Sequence, residues 1–365
     1  KTAYELMPSL VGSEMCIRDS VLAQASTAKG NRRNVIDGMK SDAESRRVSI
    51  LFAKDYMMQT QWLRFIDDVA AEDLSWSKIM TNYSQRLLKF LLNLRANTLP
   101  SPDNMRRWDR KGNLSCGLCS QLHATLAHIL RGCPWVRPQN KNNLLVEDRY
   151  TWCHNGVLVL RVNRLSKFLL ERQGKPRRKP RSHIRFVKAG VKSQRSTPIY
   201  NGILDQATDW RIDCDLPELH SIHRPYILPH HVILSISKPD IFIISEASKT
   251  IILIELTCPD DVNMEQWGID KRNTYSKLAK DLSSSWKLHL FTVEVGAKGF
   301  VSKRSFHKTF SNLGLSPRQY RELLNNCSRE AVRCSFVLWI NRYNKNFDTH
   351  RLISCLLYTS DAADE

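Results

Sequence analysis

The chain lacks any run of about 20 apolar residues, so its sequence predicts no membrane-spanning helix. It is also short of acidic residues: 36 aspartates and glutamates stand against 55 lysines and arginines, which gives a formal net charge of +19. This excess favours polyanionic partners, because neutralised phosphates release their counterions. Eight of the ten cysteines lie between residues 21 and 354, and three of these share one short motif. We expect no secretory signal before them, which indicates a reducing compartment.

Both ends of the sequence resemble translated sequencing adapters. Residues 1–20 resemble an in-frame translation of a transposase-type adapter, and residues 355–365 resemble the opposite-strand translation of its partner. Processing scars of this kind carry no information about a fold. We therefore expect the biological segment to run from about Val21 to Ser354, as an internal part of a longer reading frame. The alternative is two ordinary termini.

Two helical regions are predicted before the middle of the chain. Apolar residues recur at three- and four-residue spacings from about Ala43 to Leu94, and we assign residues 21–110 to a helical linker. A second helical pattern, Tyr150–Leu170, lies in a connector of residues 139–171. The length of the chain allows two or three domains.

The pattern becomes strand-like from about His231. Near-continuous β-branched runs predict buried strands, followed by a long polar helix and a further strand: Val232–Leu234, Asp240–Ile244, Thr250–Leu256, the helix Asn263–Leu282, and Leu288–Val295. This order predicts a mixed α/β (α+β) fold with a core sheet over residues 201–300. Helices near Pro317–Cys327 and Ala331–Ile340 are predicted within the C-terminal region 301–354.

A short module at residues 111–138 has the residue types and spacings of a zinc site. The candidate ligands, in a C-x2-C-x8-H-x4-C arrangement, are Cys116, Cys119, His128 and Cys133. Thiolates and one imidazole suit tetrahedral Zn²⁺. A short helix over Leu126–Leu130 would present His128, and His123 is the rival fourth ligand. The alternative is a set of ordinary buried or free thiols.

A basic segment separates the two halves of the chain. Ten lysines and arginines and no acidic residue lie between Arg172 and Arg195, and we assign residues 172–200 to a basic linker. It is either a solvated loop without a partner or an arm that contacts phosphates and orders on binding. The candidate nucleic-acid contacts are Arg172, Lys175, Arg177, Arg178, Lys179, Arg181 and, further on, Lys238.

One part of the chain has the carboxylate spacing of a metal-dependent nuclease. In it, Lys238-Pro239-Asp240 is followed, after fourteen further residues, by Glu255-Leu256-Thr257. A hairpin would bring Asp240 and Glu255 to one edge of the sheet, where they could bind a metal ion that activates water. Thr257 stands where a Glu-x-Lys motif has its lysine. Lys271 on the following helix is the best replacement and Lys277 the runner-up. The alternative is a turn aspartate and a salt-bridged glutamate.

Several motifs in this order resemble the C-terminal part of site-specific non-LTR retrotransposon proteins that carry a restriction-like endonuclease. The resemblance runs from about Leu88 to Ile340. Its anchors are Leu94–Pro100, Cys116–Cys133, Tyr150–Asn155, Lys238–Asp240, Glu255–Pro259, Tyr275–Leu278 and Val293–Gly296.

The resemblance implies a nucleus-located enzyme that nicks target DNA, so that the exposed 3′ end primes reverse transcription of element RNA. It implies Mg²⁺ bound by Asp240 and Glu255, with Lys271 assisting, structural Zn²⁺ in a CCHC knuckle, and no small-molecule substrate. The chain departs from the family pattern at Thr274, where a lysine is common, and after Pro259.

Two competing interpretations differ from this one. Phe65–Asp68 resembles the paired aspartates of a reverse transcriptase, but its polar flanks favour a helix, and we expect the polymerase core upstream of Val21. The second interpretation is a nucleic-acid-binding module with decayed nuclease chemistry, for which Thr257 and Thr274 are the sequence arguments.

Overall fold

The computed structural model describes residues 29–53, 69–71, 83–136, 149–171, 202–216, 239–276, 286–345 and 347. The chain divides into two compact units, Lys1–Asp67 and Asp68–Glu365. The described part of the first unit is helix α1, Lys29–Phe52. All the elements that follow belong to the second unit.

The second unit mixes helices and strands, which confirms the predicted mixed α+β class. Its elements up to the middle of the chain are strand β1 (Val69–Ala70), helices α2 (Gln85–Arg95) and α3 (Pro102–Arg107), a π-helical turn (His128–Gly132), a 3-10 turn (Pro134–Val136) and helix α4 (Arg149–Leu170). The rest are a 3-10 turn (Ile203–Asp205), strands β2 (Arg211–Cys214), β3 (Ile241–Ser245) and β4 (Thr250–Thr257), a 3-10 turn (Asp261–Asn263), helix α5 (Met264–Ser276), strands β5 (Lys287–Glu294) and β6 (Val301–Ser302), and helices α6 (Lys303–Leu313) and α7 (Pro317–Ile340).

A four-stranded sheet in the order β2-β3-β4-β5 forms the centre of the unit. Strands β2, β3 and β4 are antiparallel neighbours, whereas β4 and β5 are parallel. A parallel pair needs a crossover connection, and α5 lies in that connection. The predicted strands at β3, β4 and β5 are confirmed. Strand β2 was not predicted, because Arg211-Ile-Asp-Cys214 is short and half charged.

Both faces of this sheet are covered. Residues Ile241, Ile243, Ile252 and Ile254 face a core shared with α4, α6 and α7. The alternate residues of the same strands, including Phe242 and Leu253, face a smaller core with Tyr275 of α5. Every residue of β4 is buried, which explains why its sequence is a near-continuous apolar run.

The helical prediction over residues 43–94 is wrong at Val69 and Ala70. These residues form β1 and pair with Val301–Ser302 in an antiparallel two-stranded sheet. A backbone pairing with a distant strand overrides local periodicity, which carries no information about that partner. Helices α1 and α2 agree with the prediction. The reverse-transcriptase-like motif Phe65–Asp68 lies outside the described residues.

The C-terminal helices differ in detail from the prediction. The two predicted segments are one continuous helix, α7, since no helix-breaking residue separates Cys327 from Ala331. Helix α6 was not predicted; it begins after Ser302, whose side chain accepts a hydrogen bond from the Ser305 N–H. The predicted strand at residues 232–234 lies outside the described part. None of the described helices has the length and apolar character to cross a membrane.

Candidate functional site

Asp240 and Glu255 lie side by side on adjacent strands. Asp240 directly precedes β3, and the antiparallel register pairs Ile241 with Ile254, so that Glu255 comes opposite Asp240. The Asp240 N–H donates to Glu255 Oε1 (3.1 Å), and the Leu256 N–H donates to Asp240 Oδ2 (2.7 Å). Each carboxylate is therefore held by a backbone amide of the neighbouring strand, at the edge that the sequence predicted.

Helix α5 adds a cation to this acidic pair. Lys271 Nζ lies 2.9 Å from Glu255 Oε2, and it also lies 5.8 Å from the ring centre of Tyr275, one turn further along the helix. Thr257 is buried, and among the described residues its hydroxyl has no hydrogen-bond partner. The structure therefore brings Lys271 to the position that the sequence assigned to it. Lys277 lies outside the described residues.

His154 of α4 is the part of the site that sequence reasoning missed. Its Nε2 lies 3.3 Å from Asp240 Oδ2 and 3.3 Å from the Leu256 carbonyl oxygen. Burial disfavours the imidazolium, but the Asp240 carboxylate outweighs this effect and raises the pKa of His154. In the sequence, His154 is part of the motif Tyr150–Asn155, which supports the family resemblance. That motif assigned no role to its histidine.

The two carboxyl groups differ in their electrostatics. Burial and the charge of Asp240 raise the pKa of Glu255 to about 7, although Lys271 opposes this effect. Burial would also raise the pKa of Asp240, but His154 and Lys271 lower it below the ordinary value. Two carboxylates this close repel each other, so a cation between them would relieve the repulsion.

The donor set of this site is chemically suited to a hard divalent cation. Carboxylate oxygens are the ligands that Mg²⁺ prefers, and it is bound through one or two of them together with water or phosphate. Glu294 also faces the α5 side of the sheet, but its carboxylate accepts a hydrogen bond from the Ser305 hydroxyl and lies 3.9 Å from Arg272. The acidic site therefore consists of Asp240 and Glu255, with Lys271 and His154 beside them.

A second cluster is formed by the four predicted zinc ligands. The ligand atoms of Cys116, Cys119, His128 and Cys133 all lie within 4.8 Å of one another. The Cys116 and Cys133 sulfurs are 3.8 Å apart, and Cys119 Sγ is 3.2 Å from His128 Nε2. Zn–S bonds of 2.3 Å in a tetrahedron require sulfurs about 3.8 Å apart. These four side chains can hold a metal ion such as zinc.

Local backbone structure assembles this cluster. The Cys116 N–H donates to the Gln121 carbonyl and the Ser120 N–H donates to that of Cys116, which closes a tight turn with Ser120 at φ 60°. The helical turn that starts near Leu126 carries His128 inward, as predicted. His123 has φ 52° and an exposed side chain, and it does not belong to the cluster. The structure therefore favours His128 over His123 as the fourth ligand.

The predicted nucleic-acid contacts are not placed by the structure. Arg172, Lys175, Arg177, Arg178, Lys179, Arg181 and Lys238 all lie outside the described residues. Their role stays a prediction from charge and composition.

Comparison with known proteins does not assign the chain to a family. No protein-family model matches the sequence, and no curated protein matches it significantly. A function therefore has to be inferred from the two sites and from the motifs of the sequence.

Proposed function

We propose that this chain is the DNA endonuclease module of a non-LTR retrotransposon, which nicks target DNA to prime reverse transcription of element RNA. The observation that carries this proposal is the acidic site: Asp240 and Glu255 on adjacent strands with Lys271 Nζ 2.9 Å from Glu255. A mixed sheet with helices on both faces also supports a restriction-like core. The excess of basic residues fits target DNA and element RNA as partners in the nucleus.

The residues of the acidic site divide the chemistry among themselves. Asp240 and Glu255 would bind Mg²⁺, which when bound activates water and neutralises charge on the scissile phosphate. Lys271 orients the water or stabilises the negative charge that develops on the phosphate. His154 holds the Asp240 carboxylate through its contact with Oδ2.

The cysteine–histidine cluster has a structural role in this proposal. All four positions of a tetrahedral Zn²⁺ site are supplied by protein side chains, the arrangement that structural zinc sites use. Burial and the neighbouring thiols raise the pKa of Cys133 to about 12, so this thiol holds its proton when no metal ion is bound. Zinc binding then releases protons and stabilises the module.

Nicking of supercoiled plasmid tests the nuclease proposal. We expect the chain to convert plasmid to the open-circular form with Mg²⁺ or Mn²⁺, and Asp240→Asn and Glu255→Gln to abolish this while DNA binding is retained. Glu265→Gln, on an exposed position of α5, is the matched control and should nick like the parent. Equal nicking by the parent and both site variants would contradict the proposal.

A nucleic-acid-binding module without cleavage is the second candidate, and one surface favours it. Tyr343 packs against Gly117 of the cysteine module and is 53% exposed, with Arg342 4.6 Å from its ring. Trp135 is 47% exposed, with Lys345 5.7 Å from its ring. Exposed aromatic rings beside cations suit stacking with unpaired bases. Tight binding that Trp135→Ala weakens, with no nicking by the parent, would favour this candidate.

A further inference from the structure

In the sequence, Arg131 lies between His128 and Cys133, two residues of the cysteine–histidine cluster. Its side chain is buried. It belongs to the helical turn His128–Gly132, and only 4% of its surface is exposed. Its Nε donates to the Cys258 carbonyl (2.9 Å), and its Nη1 donates to the Leu130 carbonyl (2.9 Å). The same Nη1 lies 3.8 Å from Cys153 Sγ. Burial of a charged guanidinium costs free energy, and proteins compensate this cost with hydrogen bonds to its N–H donors.

Two of these contacts reach the neighbours of the acidic pair. Cys258 comes three positions after Glu255, immediately beyond the end of β4. Cys153 precedes His154, whose Nε2 contacts Asp240 Oδ2. One side chain therefore connects the cluster to the strand that carries Glu255 and to the helix that holds Asp240.

The position of Arg131 depends on the turn that the cluster closes. The Cys133 N–H donates to the His128 carbonyl (2.7 Å), so both ligands are fixed to the ends of the same short turn. A metal ion bound by His128 and Cys133 stabilises this turn and, with it, the direction of the guanidinium. Without the ion, the turn keeps its hydrogen bonds and the packing of Ile129 and Leu130, but it loses the cross-link between His128 and Cys133.

We propose that Arg131 is a positioning residue that couples metal occupancy of the cysteine–histidine cluster to divalent-cation binding at Asp240 and Glu255. The inference rests on the proposed function for its effect on nicking, but not for its effect on cation affinity. Coupling between two sites is reciprocal, so each metal should tighten the binding of the other by the same factor. Partners outside the ligand shell commonly change metal affinity by about 10- to 100-fold.

The first experiment measures Mn²⁺ affinity by titration calorimetry on the whole zinc-loaded chain. Arg131→Met should raise the Mn²⁺ Kd by about 10-fold, and Arg131→Lys, which keeps one donor, by less. Arg149→Met is the matched control: Arg149 is also buried, but it donates to the carbonyls of Asn341 and Asn344 at the end of α7. Its loss should lower thermal stability and leave the Mn²⁺ Kd within about twofold.

A second measurement needs no variant of Arg131. Zinc affinity of the parent is measured against a competing chelator with and without saturating Mg²⁺, which does not compete for thiolates. Zinc should bind more tightly with Mg²⁺ present, and this gain should vanish in Asp240→Ala. An unchanged zinc affinity, or an equal rise of the Mn²⁺ Kd in the Arg131 and Arg149 variants, would overturn the coupling.

Nicking assays separate this inference from the proposed function. If the parent nicks, Arg131→Met should raise the KM for Mg²⁺ and leave kcat close to that of the parent at saturating metal. If the parent does not nick but the two metal affinities are linked, the endonuclease proposal fails and the coupling stands. Nicking that depends on Asp240 and Glu255, with an unchanged Mn²⁺ Kd in Arg131→Met, would leave the endonuclease and remove the coupling.

Discussion

At the scale of single residues, the acidic site contains an ammonium group that comes from a helix instead of the strand. Lys271→Met removes the cation 2.9 Å from Glu255 Oε2. We expect kcat for nicking to fall by about 10²- to 10³-fold, the usual loss for one charge-stabilising donor. The Mn²⁺ Kd should stay equal or decrease, since Lys271 competes with a cation for Glu255.

The sequence offers a direct control for this prediction. Lys277 is the runner-up lysine. We expect Lys277→Met to leave kcat within about threefold of the parent, because among the described residues Lys271 is the lysine that contacts Glu255. Plasmid nicking at saturating Mg²⁺ checks both variants. A large loss in Lys277→Met with little change in Lys271→Met would assign the catalytic ammonium to Lys277.

The two histidines of the cysteine module provide a second residue-scale prediction. His128→Ala removes a ligand of the cluster, so the purified chain should contain less than one zinc per molecule and unfold at a lower temperature. His123→Ala changes only an exposed turn residue and should keep one zinc. Metal analysis and thermal unfolding measure both effects. Zinc loss confined to His123→Ala would reverse the ligand assignment.

At the scale of elements, the turn between β4 and α5 contains a buried acid. Asp261 Oδ2 accepts a hydrogen bond from the Lys298 N–H (2.9 Å), and burial together with Asp260 raises the pKa of Asp261 to about 6. The pKa of this carboxyl is higher in the folded state than in the unfolded state, where it is about 3.9. Its contribution to stability is therefore fully present below about pH 3.9. This contribution is lost as the pH rises through about 6, because the folded state must then release the proton.

Asp261→Asn should remove that pH dependence. Relative to the parent, the variant should gain on the order of 2–3 kcal/mol of unfolding free energy between pH 4 and pH 7. Urea unfolding at several pH values measures the difference. Asp270→Asn, an exposed change on α5, serves as the control and should follow the parent. A constant offset between Asp261→Asn and the parent would show that Asp261 does not hold the proton.

The elements also show how far pattern reasoning reaches. Strands β3 and β4 were predictable, because β-branched runs that are buried on both faces have an unmistakable composition. Strand β1 was not, because Val69 and Ala70 owe their conformation to β6. Helix α4 was predicted from its periodicity, but the direction of His154 towards Asp240 depends on how α4 packs on the sheet.

At the scale of the whole molecule, charge governs the expected affinity for nucleic acid. Replacing Arg172, Lys175, Arg177, Arg178, Lys179 and Arg181 by glutamine removes six positive charges from the basic linker. We expect the slope of log K against log salt to become shallower by up to about five, at roughly 0.9 per phosphate contact. Fluorescence anisotropy with duplex DNA at several salt concentrations measures it. An unchanged slope would make the linker a loop without a partner.

The sequence by itself determined the cysteine–histidine cluster, since its four side chains lie within one short module and local turns bring them together. It also determined the mixed fold class and the acidic pair, because one hairpin joins Asp240 to Glu255. The tertiary structure decided the rest: that Lys271 reaches Glu255, that His154 contacts Asp240, and that Arg131 connects the cluster to β4. These contacts join elements that lie far apart in the chain, and packing between distant elements leaves no periodic trace in the sequence.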